Sequence, residues 1–109
     1  MCGIAGIVHF RGSAIEQAAI SRLTNLLAHR GPNGEGTWFS ADRDVAMGHR
    51  RLAVIDPGEG GYQPMLSADR RHVIVFNGEI YNFGDLRREL QALGRPFRSN
   101  GDSEVILQG

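Results

Sequence analysis

The sequence has very little cysteine and no excess of charge of either sign. One cysteine in 109 residues excludes an internal disulfide framework and is typical of a reducing compartment, so we expect a cytoplasmic protein. Lys plus Arg and Asp plus Glu each number 12. Without a basic excess, neither nucleic acid nor an anionic membrane surface is an expected partner.

Long apolar runs and metal-binding motifs are also missing. No stretch approaches the ~18–20 apolar residues that a membrane span requires. The apolar start of the chain has no positively charged segment before it, so we do not expect a signal peptide. No Cys/His spacing is typical of zinc, so no metal site is expected. We interpret the four histidines as surface or strand-end residues: His9, His29, His49 and His72.

The order of apolar patterns predicts an α+β fold with largely antiparallel sheets, since it does not follow a regular βαβ alternation. Strands are predicted at residues 3–10, 36–40, 45–49, 51–55 and 72–76, with a loop at 56–64 between the last two. The first helix is expected to begin with a capping box of Ser13 and Glu16. A second should run from near Phe83 to Leu93 and end at Gly94, and a third should begin near Asp102 or Ser103.

The apolar pattern of the third helix is still running at Gly109. A helix of six or seven residues is short for a natural chain end. We therefore expect residues 1–109 to be the first part of a longer domain.

The single cysteine, Cys2, stands directly behind the initiator methionine. A free cysteine is usually a small buried hydrophobic residue. Removal of Met1, which a small second residue permits, would instead put a thiol and an α-amino group on one residue. An α-amine with a pKa of about 7.7–8 can accept the thiol proton, directly or through water. The sequence allows a nucleophile with its own base, but does not demand one.

Three further segments carry polar groups with two interpretations each. Asn77-Gly78 follows a predicted strand, which indicates either a hairpin turn or two donors for an oxyanion. Arg50 and Arg51 are either solvated charges or a fork for a substrate carboxylate. Asp102 is either a helix cap or a partner for an ammonium group. Combined with the thiol, the second set of interpretations fits an amino acid with a side-chain amide, such as glutamine.

At these motifs the sequence resembles the glutaminase domain of the class II glutamine amidotransferases, which are N-terminal nucleophile hydrolases. Within that family it most resembles the glutamine-hydrolysing asparagine synthetases. The matching segments, in family order, are MCGIAGI, HRGPNGEG, GHRRLAVID, QPM, NGEIYN and GDSEVIL. The resemblance implies a four-layer α/β/β/α sandwich with mainly antiparallel sheets. Residues 1–109 would form about its first half, with the synthetase domain outside them.

The resemblance also implies site residues. Cys2 matches the nucleophile that becomes N-terminal when Met1 is removed. Asn77 through its side chain and Gly78 through its backbone match the oxyanion hole. Arg51 matches the arginine that binds the glutamine α-carboxylate, whereas its neighbour should point to the opposite face of a strand. The other matching glutamine contacts are the backbone at Val54 and Ile55, and the side chains of Glu79 and Asp102, which are expected to hold the α-amino group.

The activity implied is hydrolysis of glutamine to glutamate and ammonia through a γ-glutamyl thioester on Cys2. In the parent protein, that ammonia would serve ATP-dependent synthesis of asparagine from aspartate. The glutaminase half is expected to need no cofactor. ATP and Mg²⁺ belong to the missing synthetase domain, because these residues contain no pyrophosphate-binding loop. The expected partners are glutamine and that synthetase domain, and a homodimer is left open.

Other functions are compatible with parts of the pattern. The parent could be another amidotransferase that makes glucosamine phosphate, a purine precursor or glutamate, or an asparagine-synthetase-like enzyme of a surface-polysaccharide cluster. RGPNGEG with RLAVID and NGEIYN favours the asparagine synthetases. The residues could also form a catalytically silent interaction fragment. A thiol redox or metal protein is disfavoured by the single cysteine.

Overall fold

Two antiparallel sheets and three α-helices form the described part of the chain, residues 1–55 and 58–109 of a computed structural model. Asp56 and Pro57, the first two residues of the predicted loop 56–64, lie outside the described residues, and Asp56 is also the last residue of the GHRRLAVID segment. The elements in chain order are β1 Gly3–Val8, α1 Gln17–Leu26, β2 Gly34–Phe39, β3 Val45–Arg51, a 3-10 turn Glu59–Gly61, β4 Met65–Leu66, β5 Val73–Ile74, α2 Phe83–Ala92 and α3 Ser103–Gln108. The predicted α+β class with antiparallel sheets is therefore confirmed.

The larger sheet has the order β1-β3-β2, and α1 packs on one of its faces. The core between helix and sheet is formed by Ile15, Ile20 and Ala46. Close approach of the helix requires a glycine at position 48, because a Cβ there would lie 2.0 Å from Thr24 Oγ1. The helix thus rests directly on the backbone of the central strand.

The capping box predicted for Ser13 and Glu16 is wrong. Helix α1 begins at Gln17, and Glu16 precedes it in an extended conformation without a side-chain cap in the described structure. The cause is a tertiary contact at Ile15, whose N–H donates to the Arg43 carbonyl at 2.8 Å. The Arg43 guanidinium in turn donates to the Ile15 carbonyl. These bonds hold the chain extended, so the helix starts later.

The strand predicted at 51–55 is also wrong, because β3 runs without a break to Arg51 and the chain then leaves the sheet. Side chains take the next two backbone donors. The Leu52 N–H donates to Cys2 Sγ at 3.2 Å, and the Ala53 N–H donates to Asn33 Oδ1 at 3.0 Å. These two N–H groups, which would otherwise donate to a neighbouring strand, therefore bind side chains instead.

The second half of the chain contacts the larger sheet at β2. There the segment before β4 approaches β2 so closely that a Cβ on Gly36 would lie 2.2 Å from the Gln63 carbonyl oxygen. The later helices agree with the sequence predictions: α2 ends before Gly94, whose φ is +83°, and α3 begins at Ser103. None of the described helices has the length and apolar character needed to cross a bilayer.

Candidate active site

A cleft of about 170 Å³ lies where the chain start, the end of β3, the segment after β5 and the start of α3 meet. Four segments that are far apart in sequence thus contribute to one concave surface. The residues predicted for the site all line this cleft: Cys2, Arg51, Val54, Ile55, Asn77, Gly78, Glu79 and Asp102.

The Cys2 thiol is half-buried and is held by the residue that follows β3. Its sulfur accepts the Leu52 N–H at 3.2 Å and lies 3.6 Å from the Leu52 carbonyl oxygen, to which the thiol can donate. The Cys2 carbonyl accepts a hydrogen bond from Arg30 Nε at 3.1 Å. Both the backbone and the sulfur of this residue are therefore fixed by contacts from distant parts of the chain.

The segment HRGPNGEG, for which no chemistry was predicted, supports the same region. The Asn33 backbone N–H donates to the Arg51 carbonyl at 2.9 Å, while its side-chain oxygen accepts the Ala53 N–H. One asparagine thus brackets Leu52, the residue that contacts the thiol.

Asn77 and Gly78 do not form the turn of a hairpin in the described structure, since α2 is the next element after β5. The backbone of Phe76, just before Asn77, is held by two side chains. The Phe76 N–H donates to Gln63 Oε1 at 2.5 Å, and the Phe76 carbonyl lies 3.3 Å from His49 Nε2. The segment 76–78, which we call the Asn77 corner, is therefore supported by two residues that line the cleft, His49 and Gln63.

His49 is buried, with 1% of its surface exposed, which corrects its interpretation as a surface or strand-end residue. Burial is the main cause that lowers its pKa below the usual 6.5, and the Arg51 charge adds to this effect. The hydrogen bond with the Phe76 carbonyl acts in the opposite direction. Burial thus favours the neutral imidazole, and we assign its proton to Nε2 because the carbonyl oxygen that faces it can only accept.

The two neighbouring arginines are on opposite faces of β3, as strand geometry predicts. Arg51 is 5% exposed and lines the cleft, where its Nη1 donates to the Gly58 carbonyl at 2.8 Å. Its guanidinium lies 4.8 Å from the centre of the Tyr62 ring, a cation–π contact. Arg50 instead forms an ion pair with Glu35 at 2.5 Å. Only Arg51 is placed to meet a ligand in the cleft.

Asp102 is buried, with 6% exposure, and directly precedes α3. In the described part of the chain its carboxylate does not cap that helix. Its Oδ2 accepts the Ile80 N–H at 2.8 Å, which ties α3 to the segment that follows the Asn77 corner. Glu79, Val54 and Ile55 are exposed at the mouth of the cleft.

Among the cleft residues for which the sequence predicted no role in the site are His49 and Gln63. His49 lies two positions before Arg51, and the alternation of a strand puts both on one face, so a signal for it was present. Gln63 lies outside the described strands, and its signal in the sequence was its place in the matching segment QPM. Across residues 1–55 and 58–109, no group of three or more His, Cys, Asp or Glu side chains is arranged to hold a metal ion.

Comparison with known proteins gives one family. The family model described as a glutamine amidotransferase domain matches residues 1–109. The chain is 43% identical to a glutamine-hydrolysing asparagine synthetase 3 from Bacillus subtilis, covering 98% of this chain and 17% of that protein. It is 39% identical to a putative glutamine-hydrolysing asparagine synthetase from Mycobacterium tuberculosis, covering 100% and 19%. The chain spans less than a fifth of the length of these relatives.

Proposed function

This chain belongs to the glutamine amidotransferase domain family, and from that premise we propose that it hydrolyses glutamine to glutamate and ammonia with Cys2 as the nucleophile. We assign it the first part of an N-terminal nucleophile hydrolase sandwich, whose further strands and synthetase domain lie outside residues 1–109. The two antiparallel sheets are compatible with that assignment.

The proposed reaction begins after removal of Met1, when the Cys2 α-amine takes the thiol proton. The sulfur then attacks the side-chain amide carbon of glutamine. The negative charge that develops on the amide oxygen is stabilised by the Asn77 side-chain amide and the Gly78 N–H. The carbon–nitrogen bond breaks, and ammonia leaves with the proton returned from the α-ammonium group. Water attacks the resulting γ-glutamyl thioester, the carbon–sulfur bond breaks, and glutamate and the thiol are regenerated.

Glutamine would be oriented by its α-groups. We assign its carboxylate to the Arg51 guanidinium, a planar fork suited to bidentate binding. Its ammonium group is assigned to Asp102 and Glu79, with the backbone at Val54 and Ile55 completing the contacts. The Ile80 N–H occupies Oδ2 of Asp102, so we assign the ammonium group to Oδ1.

The observation that carries the proposal is the shared cleft. All eight predicted site residues, including the only cysteine of the sequence, line one concave surface. Pockets with a few convergent polar groups are the usual form of a small-molecule site. A catalytically silent fragment has no requirement for a thiol, an arginine and an aspartate on the walls of one cleft.

In the intact protein we propose that the ammonia serves ATP-dependent asparagine synthesis from aspartate in the cytoplasm. Support comes from the relatives, which are asparagine synthetases described as glutamine-hydrolysing. We assign ATP and Mg²⁺ to the synthetase domain and no cofactor to residues 1–109.

The test is Cys2→Ala in the intact natural protein. Glutamine-dependent synthesis of asparagine should be lost, whereas synthesis from added ammonium salt should continue at the wild-type rate. Loss of both activities would contradict the proposed separation of the two half-reactions. Continued glutamine hydrolysis by the variant would contradict the role of the thiol.

A further inference from the structure

Phe76, the first residue of the Asn77 corner, pairs with no strand in the described structure. Strand β5 ends at Ile74. Both hydrogen-bonding groups of Phe76 are bound by side chains instead: Gln63 Oε1 accepts from its N–H at 2.5 Å, and His49 Nε2 donates to its carbonyl at 3.3 Å. The two peptide groups that flank Phe76 are therefore each oriented by a side chain rather than by a sheet.

We infer that Gln63 and His49 are positioning residues for the oxyanion donors at Asn77 and Gly78, an inference that rests on the proposed function. Neither residue needs to touch glutamine in this role. Each acts through the backbone of Phe76, the residue that immediately precedes Asn77 in the chain.

Gln63 has a fixed position and a fixed amide orientation. It is 7% exposed, and its backbone carbonyl lies against Gly36 of β2. The Phe76 N–H can only donate, so the side-chain oxygen of Gln63 must face it. The amide nitrogen then faces Ser103 Oγ at 3.1 Å. One buried carboxamide thus connects the Asn77 corner with the first residue of α3.

The contact between Gln63 and Ser103 links the two parts of the proposed substrate site, the oxyanion donors and the carboxylate for the α-amine. Ser103 follows Asp102, and the Asp102 carboxylate binds the Ile80 N–H on the far side of the corner. The segment from Phe76 to Ile80 is therefore held at both ends. The donors for the amide oxygen and the carboxylate for the α-amine are kept in one geometry.

His49 holds the next peptide group, which joins Phe76 to Asn77. It is 1% exposed, and its Nδ1 has no hydrogen-bond partner within residues 1–55 and 58–109. A proton on Nδ1 would be buried without an acceptor, which is costly. The neutral ring with its proton on Nε2 is the form that fits, and that form donates to the Phe76 carbonyl.

Movement of Phe76 would reach both oxyanion donors. Asn77 is joined directly to the Phe76 carbonyl by the next peptide bond. The Phe76 ring also lies against Gly78, where an added Cβ would be 2.8 Å from the ring. Since oxyanion donors act only when aimed at the developing charge, a displacement of about 1 Å can cost roughly 100-fold in rate. Ground-state binding through the glutamine α-groups would be affected much less.

The experiment breaks each contact in the intact natural protein with a free Cys2 amine. In Gln63→Met the acceptor for the Phe76 N–H is removed at similar side-chain volume. In His49→Phe the donor to the carbonyl is removed, whereas His49→Gln keeps an N–H near the position of Nε2. We expect kcat for glutamine hydrolysis to fall roughly 10- to 100-fold in the first two variants. KM should change little, and His49→Gln should recover most of kcat.

Two measurements distinguish positioning from a general loss of structure. The rate of Cys2 alkylation by iodoacetamide, which needs no oxyanion donors, should stay at the wild-type value. Ammonia-dependent synthesis should also be retained. If Gln63→Met does not fold, the comparison of His49→Phe with His49→Gln decides.

The inference is overturned if KM rises at constant kcat, if His49→Gln is as impaired as His49→Phe, or if alkylation slows in parallel with hydrolysis. These outcomes leave the proposed function intact. A wild-type protein that does not hydrolyse glutamine would instead overturn the proposed function, and the inference with it.

Discussion

Replacement of Arg51 by alanine is expected to raise the KM for glutamine while kcat stays nearly constant. The guanidinium is assigned to the α-carboxylate, which lies several bonds away from the amide that reacts. An interaction that is equally strong in the ground state and the transition state contributes to KM and not to kcat. Steady-state kinetics of glutamine hydrolysis measures both constants directly.

The size of the effect follows from the surroundings of the side chain. Arg51 is 5% exposed, and its contacts with the Gly58 carbonyl and the Tyr62 ring hold the guanidinium in place. Hydrogen bonds to charged groups contribute about 1.5–3 kcal/mol. Because about 1.4 kcal/mol corresponds to a factor of ten in affinity, KM should rise roughly 10- to 150-fold.

The matched control is the neighbouring residue, Arg50→Ala. This arginine has the same chemistry but forms an ion pair with a mostly exposed Glu35, which contributes about 0–1 kcal/mol. Its removal should leave KM unchanged. A glutamine analogue without the α-carboxylate should bind equally to the wild type and Arg51→Ala. A fall in kcat at unchanged KM, or an equal effect of both substitutions, would refute the assignment.

Two predictions concern stability. Burial is the largest influence on Glu104 and raises its pKa, but hydrogen bonds from Ser99 and from the Arg98 N–H outweigh it, so the pKa lies below its usual 4.5. The unfolded state therefore takes up the proton at higher pH than the folded state, and the stabilisation is complete above about pH 4.5 and lost as the pH falls through the lowered pKa. Between pH 7 and pH 3, the melting temperature of Glu104→Gln should depend less on pH than that of the wild type. An equal dependence in both proteins would contradict this role of Glu104. Gly48→Ala puts a Cβ 2.0 Å from Thr24 Oγ1 and should destabilise the fold by roughly 1–3 kcal/mol. In the double variant with Thr24→Ala, the free energy of unfolding measured with denaturant should be partly restored. Additive losses from the two substitutions would argue against the contact.

Much of the site could be predicted because its chemistry lies in short segments with distinctive residues. A cysteine after the initiator methionine, Asn-Gly after a strand and an aspartate before a helix are each readable in the sequence. Strand alternation also separated Arg51 from Arg50 correctly. Their meeting at one cleft, however, depends on contacts between residues far apart in the sequence, such as Asp102 with Ile80, 22 positions apart, and Cys2 with Leu52, 50 positions apart.

The parts that could not be predicted depend on side chains that bind distant backbone groups. Ser13 has the composition of a helix cap, but the reciprocal bonds between Ile15 and Arg43 keep the chain extended there. Residues 51–55 have the composition of a strand, but Cys2 and Asn33 bind the first two N–H groups after β3. Local propensity is a weak guide where tertiary hydrogen bonds compete with it.

The most direct test concerns the thiol and the amine that would act with it. The natural protein with Met1 removed, and a matched variant with one extra residue before Cys2, would be incubated with a glutamine-like diazo-ketone. Mass spectrometry of the first peptide should show an adduct on Cys2 in the processed protein and none, or far less, in the extended variant. Equal labelling of both proteins, or an unmodified Cys2 in a processed protein that hydrolyses glutamine, would contradict the account.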